Sequence, residues 1–135
     1  MIDWSETHFL PKEFACKCGC DRMEMATETI LLLEQLRRAY GQPIYLSSAF
    51  RCNDHPIEKK KARPGTHTTG RAVDIAASGK EAWAILNIAL RQGAWTGIGV
   101  QQKGDYDSRF IHLDTVPIDG WEGYEHIVRP WLWSY

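Results

Sequence analysis

Residues 66–76 read Thr66-His67-Thr68-Thr69-Gly70-Arg71-Ala72-Val73-Asp74-Ile75-Ala76. From Arg71 onward polar or small residues alternate with apolar ones, the period of a half-buried strand. Asp74 then lies on the face opposite Val73 and Ile75, and the small Ala72 leaves room beside it. His67 precedes the strand in a loop. A second alternating run, Phe110-Ile111-His112-Leu113-Asp114, sets His112 and Asp114 two apart and on one face. If the two runs are neighbours in a sheet, His67, Asp74 and His112 converge. Strand signals also cover residues 43–48, 96–101 and 109–116, and Gly104 to Ser108 makes a hairpin turn between the last two. Helical spacing predicts helices over Thr27–Tyr40, capped by Thr27 and stopped at Gly41, and over Gly79–Gln92, with a Ser78/Glu81 capping box and a stop at Gly93. The fold class expected is α+β: an antiparallel sheet of about four strands with helices packed on one face. Residues 120–135 are expected to form a helix or a lid.

The chain has 135 residues with 16 Lys+Arg against 17 Asp+Glu, a net charge of −1. One domain over residues 1–135 fits that length. The near-zero balance argues against a nucleic-acid partner, which would select a basic surface. No apolar run approaches the ~20 residues of a membrane span. The first residues, Met1-Ile2-Asp3-Trp4-Ser5-Glu6, lack the features of a signal peptide. The expectation is a monomer made in the cytoplasm.

Cys16, Cys18 and Cys20 crowd into five residues, and Cys52 stands apart. Such near neighbours bond each other poorly. Two readings stay open: a structural zinc knot, or reduced thiols packing a loop with at most a disulfide to Cys52. The spacing matches no paired Cys-x-x-Cys pattern. The run Glu58 to Gly65 reads as a solvated loop, or as a basic rim facing an acidic substrate. Trp95, Trp121, Trp131 and Trp133 are candidates for a groove lining or, more simply, for core.

Two imidazoles and one carboxylate are a known ligand set for catalytic zinc, leaving a fourth position for water. The run His67 to Asp74, written His-x-x-Gly-x-Ala-x-Asp, resembles the signature of the zinc D-alanyl-D-alanine carboxypeptidase family. That family includes phage endolysins and bacterial murein endopeptidases and shares its fold with the hedgehog signalling domain. Ser48-Ala49-Phe50-Arg51 is similar to the family's Ser-x-x-Arg, and Phe110 to Asp114 to its last-ligand strand. His8-Phe9 through Glu13-Phe14-Ala15-Cys16 is similar to the entry segment of small members.

The resemblance implies that His67, Asp74 and His112 bind Zn2+. It implies that Arg51 holds a substrate carboxylate or carbonyl, and that Ser48 supports that loop or bonds the substrate. The activity implied is a metallopeptidase, carboxypeptidase or endopeptidase, in which water on the zinc attacks an amide of the peptidoglycan stem peptide. The setting implied is a phage or prophage lysin reaching the cell wall after release. Relatives carry an acidic residue three positions before the last His, where this chain has Arg109, which cannot accept a proton. Asp114 is the first candidate for the general base, with a rival role in orienting a ligand histidine. Asp107 is the next candidate, with Asp105 beside it. The missing acid also keeps open a non-catalytic, zinc-containing cell-wall-binding or structural module of the same fold. A third possibility is a cysteine-centred zinc module.

Overall fold

The computed structural model describes residues 1–135. Its centre is one five-stranded sheet built from β1 (Tyr45–Ser48), β2 (Ala72–Ala76), β3 (Gly97–Gln101), β4 (Phe110–Asp114) and β5 (Trp131–Ser134). The strand order is β1-β2-β4-β3-β5. All neighbours are antiparallel except β3 and β5, which run parallel. The sheet is therefore mixed and has one strand more than the sequence suggested. The extra strand comes from the tail expected to be a helix or lid. Residues 131–135, Trp-Leu-Trp-Ser-Tyr, are aromatic and alternating, and they pair with the free edge of β3.

Two helices, α1 (Thr27–Tyr40) and α3 (Gly79–Gln92), cover one face of this sheet; a short α2 spans Pro56–Lys59. Both long helices end on glycines in the left-handed region, Gly41 at φ 74° and Gly93 at φ 69°. That conformation penalises residues with a Cβ, so both stops were readable. The starts were less so. The residue before α1 is Ala26, with Thr27 already inside the helix, and Ser78 makes no side-chain capping bond.

Ile30, Leu33 and Leu36 of α1 and Ala82, Ile85 and Ala89 of α3 pack on Val73, Ile75, Ile98, Ile111 and Leu113 of the sheet. Strand alternation then sends Ala72, Asp74, His112 and Asp114 to the opposite face, away from both helices. Trp95 joins this core and so lines no groove. No helix is long and apolar enough to cross a membrane.

The N-terminal segment is tied down through Glu34 on α1. Its carboxylate accepts from the His8 backbone N–H at 2.7 Å and from Arg38 Nε at 2.8 Å, and it lies 2.7 Å from His8 Nδ1. Burial pushes the Glu34 carboxyl up, but the hydrogen bonds from His8 and Arg38 outweigh it and leave it below its ordinary 4.5.

Two outcomes follow from this packing. Leu33 is fully buried, so Leu33→Ala should lower the unfolding free energy by about 3 kcal/mol in a urea titration. Because the folded-state pKa of Glu34 is depressed, its contribution is complete above the ordinary carboxylate range and fades as pH falls through the lowered value. The stability difference between wild type and Glu34→Gln should therefore be constant near neutrality and shrink on acidification.

Candidate metal centre

One row of residues crosses the whole sheet: Ser48 pairs with Asp74, Asp74 with His112, His112 with Gly99, and Gly99 with Trp133. Paired residues on antiparallel neighbours point to the same face. Asp74 and His112 are therefore side by side on the face free of helices. Ser48 reaches this row through an irregularity in β1, where Leu46 pairs with Ile75 but Ser48 with Asp74. One extra residue is accommodated there, as bulges beside functional sites commonly do.

His67 comes from a single 3-10 turn, Thr66–Thr69, placed before β2. Gly70 closes that turn at φ 73°, and a Cβ there would collide with the backbone carbonyl of Glu24. Glycine is thus required both by conformation and by close approach. The turn aims His67 at Asp74, with His67 Nε2 3.2 Å from Asp74 Oδ2. On the other side His112 Nδ1 is 2.9 Å from Asp74 Oδ1. The rings meet edge to face, centroids 5.2 Å apart. All three side chains are buried.

Each imidazole has its second nitrogen occupied. His67 Nδ1 lies 2.7 Å from the Ala49 carbonyl, and His112 Nε2 lies 2.8 Å from Asp114 Oδ2. Neutral rings donating to those acceptors would leave lone pairs on His67 Nε2 and His112 Nδ1 for a metal beside the Asp74 carboxylate, whereas rings protonated at those nitrogens donate to Asp74. The contacts to Ala49 and Asp114 are the outer hydrogen bonding that orients metal-ligating histidines. The donor atoms of His67, Asp74 and His112 all lie within 4.8 Å of one another, so the group could hold a metal ion. A tetrahedral zinc with bonds of about 2.0–2.1 Å has ligand–ligand edges of roughly 3.3 Å. The observed separations, 2.9 Å to Oδ1 and 3.2 Å to Oδ2, are of that order but run to different oxygens of the carboxylate.

Electrostatics act in the same direction. Burial works against the charged form of Asp74, but the hydrogen bonds from His112 and His67 outweigh it and hold the carboxyl far below the usual range. Burial likewise opposes charge on His112, while Asp114 and Asp74 pull its pKa up. The centre is thus built to receive positive charge.

Asp114 is fully buried and doubly engaged. Arg129 donates from Nε to Oδ1 at 2.9 Å and from Nη2 to Oδ2 at 2.7 Å, a bidentate pair. The Val116 N–H adds a third donor to Oδ1 at 3.2 Å. Against the cost of burial, the bonds from His112 and Arg129 bring the Asp114 carboxyl down to about 2. Both of its oxygens thus already accept hydrogen bonds, one of them beside His112 Nε2. Asp107 is exposed in the turn Tyr106–Ser108 and makes no hydrogen bond or ion pair with the two histidines or Asp74; Asp105 is also exposed. Arg109 turns away to bond the Gly104 carbonyl and lies 4.4 Å over the Tyr106 ring.

Arg51 lies beside the centre. Its Nε donates to Ser48 Oγ at 3.1 Å, its Nη1 donates to Glu58 Oε2 at 3.0 Å, and its Nη2 stands 3.8 Å from Asp74 Oδ2. Ser48 is a support for Arg51. Glu58, expected in a solvated loop, is instead buried on α2 and also accepts from Lys61 Nζ and the Gly65 N–H. Its neighbours Lys59 to Arg63 are exposed, as that reading required.

Sequence reasoning missed Glu58 and Arg129, and it named Trp133 only as a groove-lining or core candidate. The Trp133 ring is 5.0 Å from His112 and lies over Gly99, where a Cβ would come within 2.6 Å of the indole. At Gly97 a Cβ would collide with the Asp114 carboxylate. The two glycines of β3 are the signal that could have revealed the large side chains lying across that strand. Trp133 and Arg129 also border a cleft of about 760 Å³, together with Trp131, Lys61, Arg63 and His126. Trp121 packs on Tyr124, outside this cleft.

Replacing Asp114 with Asn should preserve the fold but weaken zinc binding at the histidine pair by about 10–100-fold, read by competition against a chromogenic chelator. His112→Ala should abolish binding there.

A model of the family described as Peptidase M15 matches residues 7–114. No curated protein gives a match.

Proposed function

The chain belongs to the peptidase M15 family, a family of zinc peptidases, and from that premise we propose that it hydrolyses amide bonds in the peptide stem of peptidoglycan, with His67, Asp74 and His112 as the zinc ligands. The observation that carries the reading is the buried triad itself: two imidazoles whose outer nitrogens are already held, both aimed at one carboxylate. Zinc bound there would supply a Lewis acid for the scissile carbonyl and an acidified water.

The chain's own residues then have distinct tasks. Asp114, clamped by Arg129, keeps His112 in one tautomer and orientation. Ser48 and Glu58 hold Arg51 so that Nη2, its one nitrogen without a hydrogen-bond partner, faces the triad. That N–H donates to a substrate carboxylate or carbonyl oxygen brought to the centre. The adjoining cleft carries Lys61, Arg63 and Arg129 and no acidic residue among those that line it. With Arg129 paired to Asp114 and Lys61 to Glu58, Arg63 is the cation left to meet a carboxylate of the stem peptide. Trp131 and Trp133 supply flat apolar surface for its alanyl methyl groups.

One observation favours a second reading. Arg109 stands where relatives carry an acid, and Asp114 is committed to Arg129 and His112. A zinc-containing module that binds stem peptides without cutting them would have no use for a base. Mass spectrometry of defined muropeptides incubated with the zinc-loaded protein separates the two. New fragments, absent with His67→Ala, support hydrolysis and name the bond. Binding measured by calorimetry without fragments selects the module. For a hydrolase, Arg51→Ala should lower kcat/KM by at least about 10-fold while zinc content stays unchanged, reflecting the loss of a charge-assisted bond of ~1.5–3 kcal/mol.

A further inference from the structure

The four cysteines lie at the opposite end of the Ser48–Cys52 segment from the triad. Residues 16–22 form a tight loop closed by the Cys16 N–H donating to the Arg22 carbonyl at 2.7 Å. Gly19 at φ 100° and Asp21 at φ 59° make its turns, and Asp21 is the only non-glycine residue with positive φ. This brings Cys16, Cys18 and Cys20 around Cys52. The Cys52 sulfur is 3.7 Å from that of Cys16, 3.4 Å from Cys18 and 3.8 Å from Cys20. All four Sγ atoms lie within 4.8 Å of one another.

These distances decide between chemistries. A disulfide needs sulfurs about 2.04 Å apart, and none of the four is paired. A zinc ion bound by four thiolates at about 2.3 Å has sulfur–sulfur edges of roughly 3.8 Å. We propose that Cys16, Cys18, Cys20 and Cys52 form a second, structural zinc site, separate from the His67–Asp74–His112 centre.

The surroundings agree with thiolate ligands. The Cys52 backbone N–H donates to Cys16 Sγ at 3.3 Å. The Arg22 guanidinium sits 5.7 Å over the Phe50 ring, on the border of the cluster, and pairs with Glu24 at 2.7 Å. Four thiols become thiolates on binding and release their protons to solvent, and no electron changes hands. Cys16 and Cys52 are buried with Phe50 and Met25, whereas Cys18 and Cys20 face solvent and provide the entry path.

Such a site has a structural task. Residues 14–26 contain no regular helix or strand. They meet residues 49–52 through the Phe50 N–H bond to the Phe14 carbonyl and through the cysteines. That same segment supplies the Ala49 carbonyl that holds His67, and Arg51, whose N–H bonds the His67 carbonyl at 3.1 Å. Zinc at the cysteines would fix the loop from which the histidine centre is oriented.

The test is a metal count on the full chain, purified from zinc-supplemented cells. Two zinc ions per chain are expected, one surviving in His112→Ala and the other in the double variant Cys18→Ser/Cys20→Ser. Cobalt(II) substituted into wild type and into His112→Ala should show strong sulfur-to-metal charge-transfer absorption, absent from the cysteine variant. If that variant fails to fold, thiol alkylation of wild type serves instead: all four cysteines should be protected until a chelator is added. A single zinc unaffected by the cysteine changes, a cobalt spectrum without the charge-transfer band, or a disulfide in the zinc-loaded protein would each overturn the proposal. None of these outcomes depends on whether the protein cleaves peptides.

Discussion

Asp74 shares its carboxylate between two imidazoles, and the rest of the molecule is arranged so that this can happen in a buried place. An ionised carboxylate away from water is costly unless paired and hydrogen-bonded. Here one oxygen faces His112 and the other His67. The β2–β4 register supplies the first partner directly, since Asp74 and His112 are opposite one another. A one-residue slip would send His112 into the helix-covered core and Leu113 into the centre. The apolar face of the sheet therefore guards the polar one: Val73, Ile75, Ile111 and Leu113 fix the register that sets Asp74 beside His112.

Around that pair each side chain is held by another. Asp114 orients His112, and Arg129 neutralises Asp114. The Ala49 carbonyl orients His67, and Ser48 and Glu58 hold Arg51. No buried side-chain nitrogen or oxygen lacks a partner. A network satisfied throughout is rigid and holds the two histidines and Asp74 in fixed positions.

The triad and most of the fold could be read from the sequence because they obey short-range rules. Period-two alternation put His112 and Asp114 on one face and marked Asp74 as a polar residue in an otherwise apolar strand. The glycine stops of both helices were likewise local. What escaped was decided by distant partners. Asp114 lies on the expected face, but its bidentate pairing with Arg129, 15 residues on, left no local sign. Glu58 sat among lysines and read as solvated, yet Arg51, seven residues earlier, buries it. The tail looked like a lid because nothing within it announces that the open edge of β3 lies waiting; only the glycines at 97 and 99 hinted at bulky neighbours. The cysteines could not be assigned by spacing, since Cys52 joins the other three across more than thirty residues.

The family match ends at Asp114, whereas β5 begins at Trp131. Residues beyond the matched segment thus provide the guanidinium that holds Asp114, the indole beside His112, and much of the cleft wall. A site whose two histidines and Asp74 lie wholly inside the matched stretch thus takes its outer support from a strand, and the approach to it, that lie outside it.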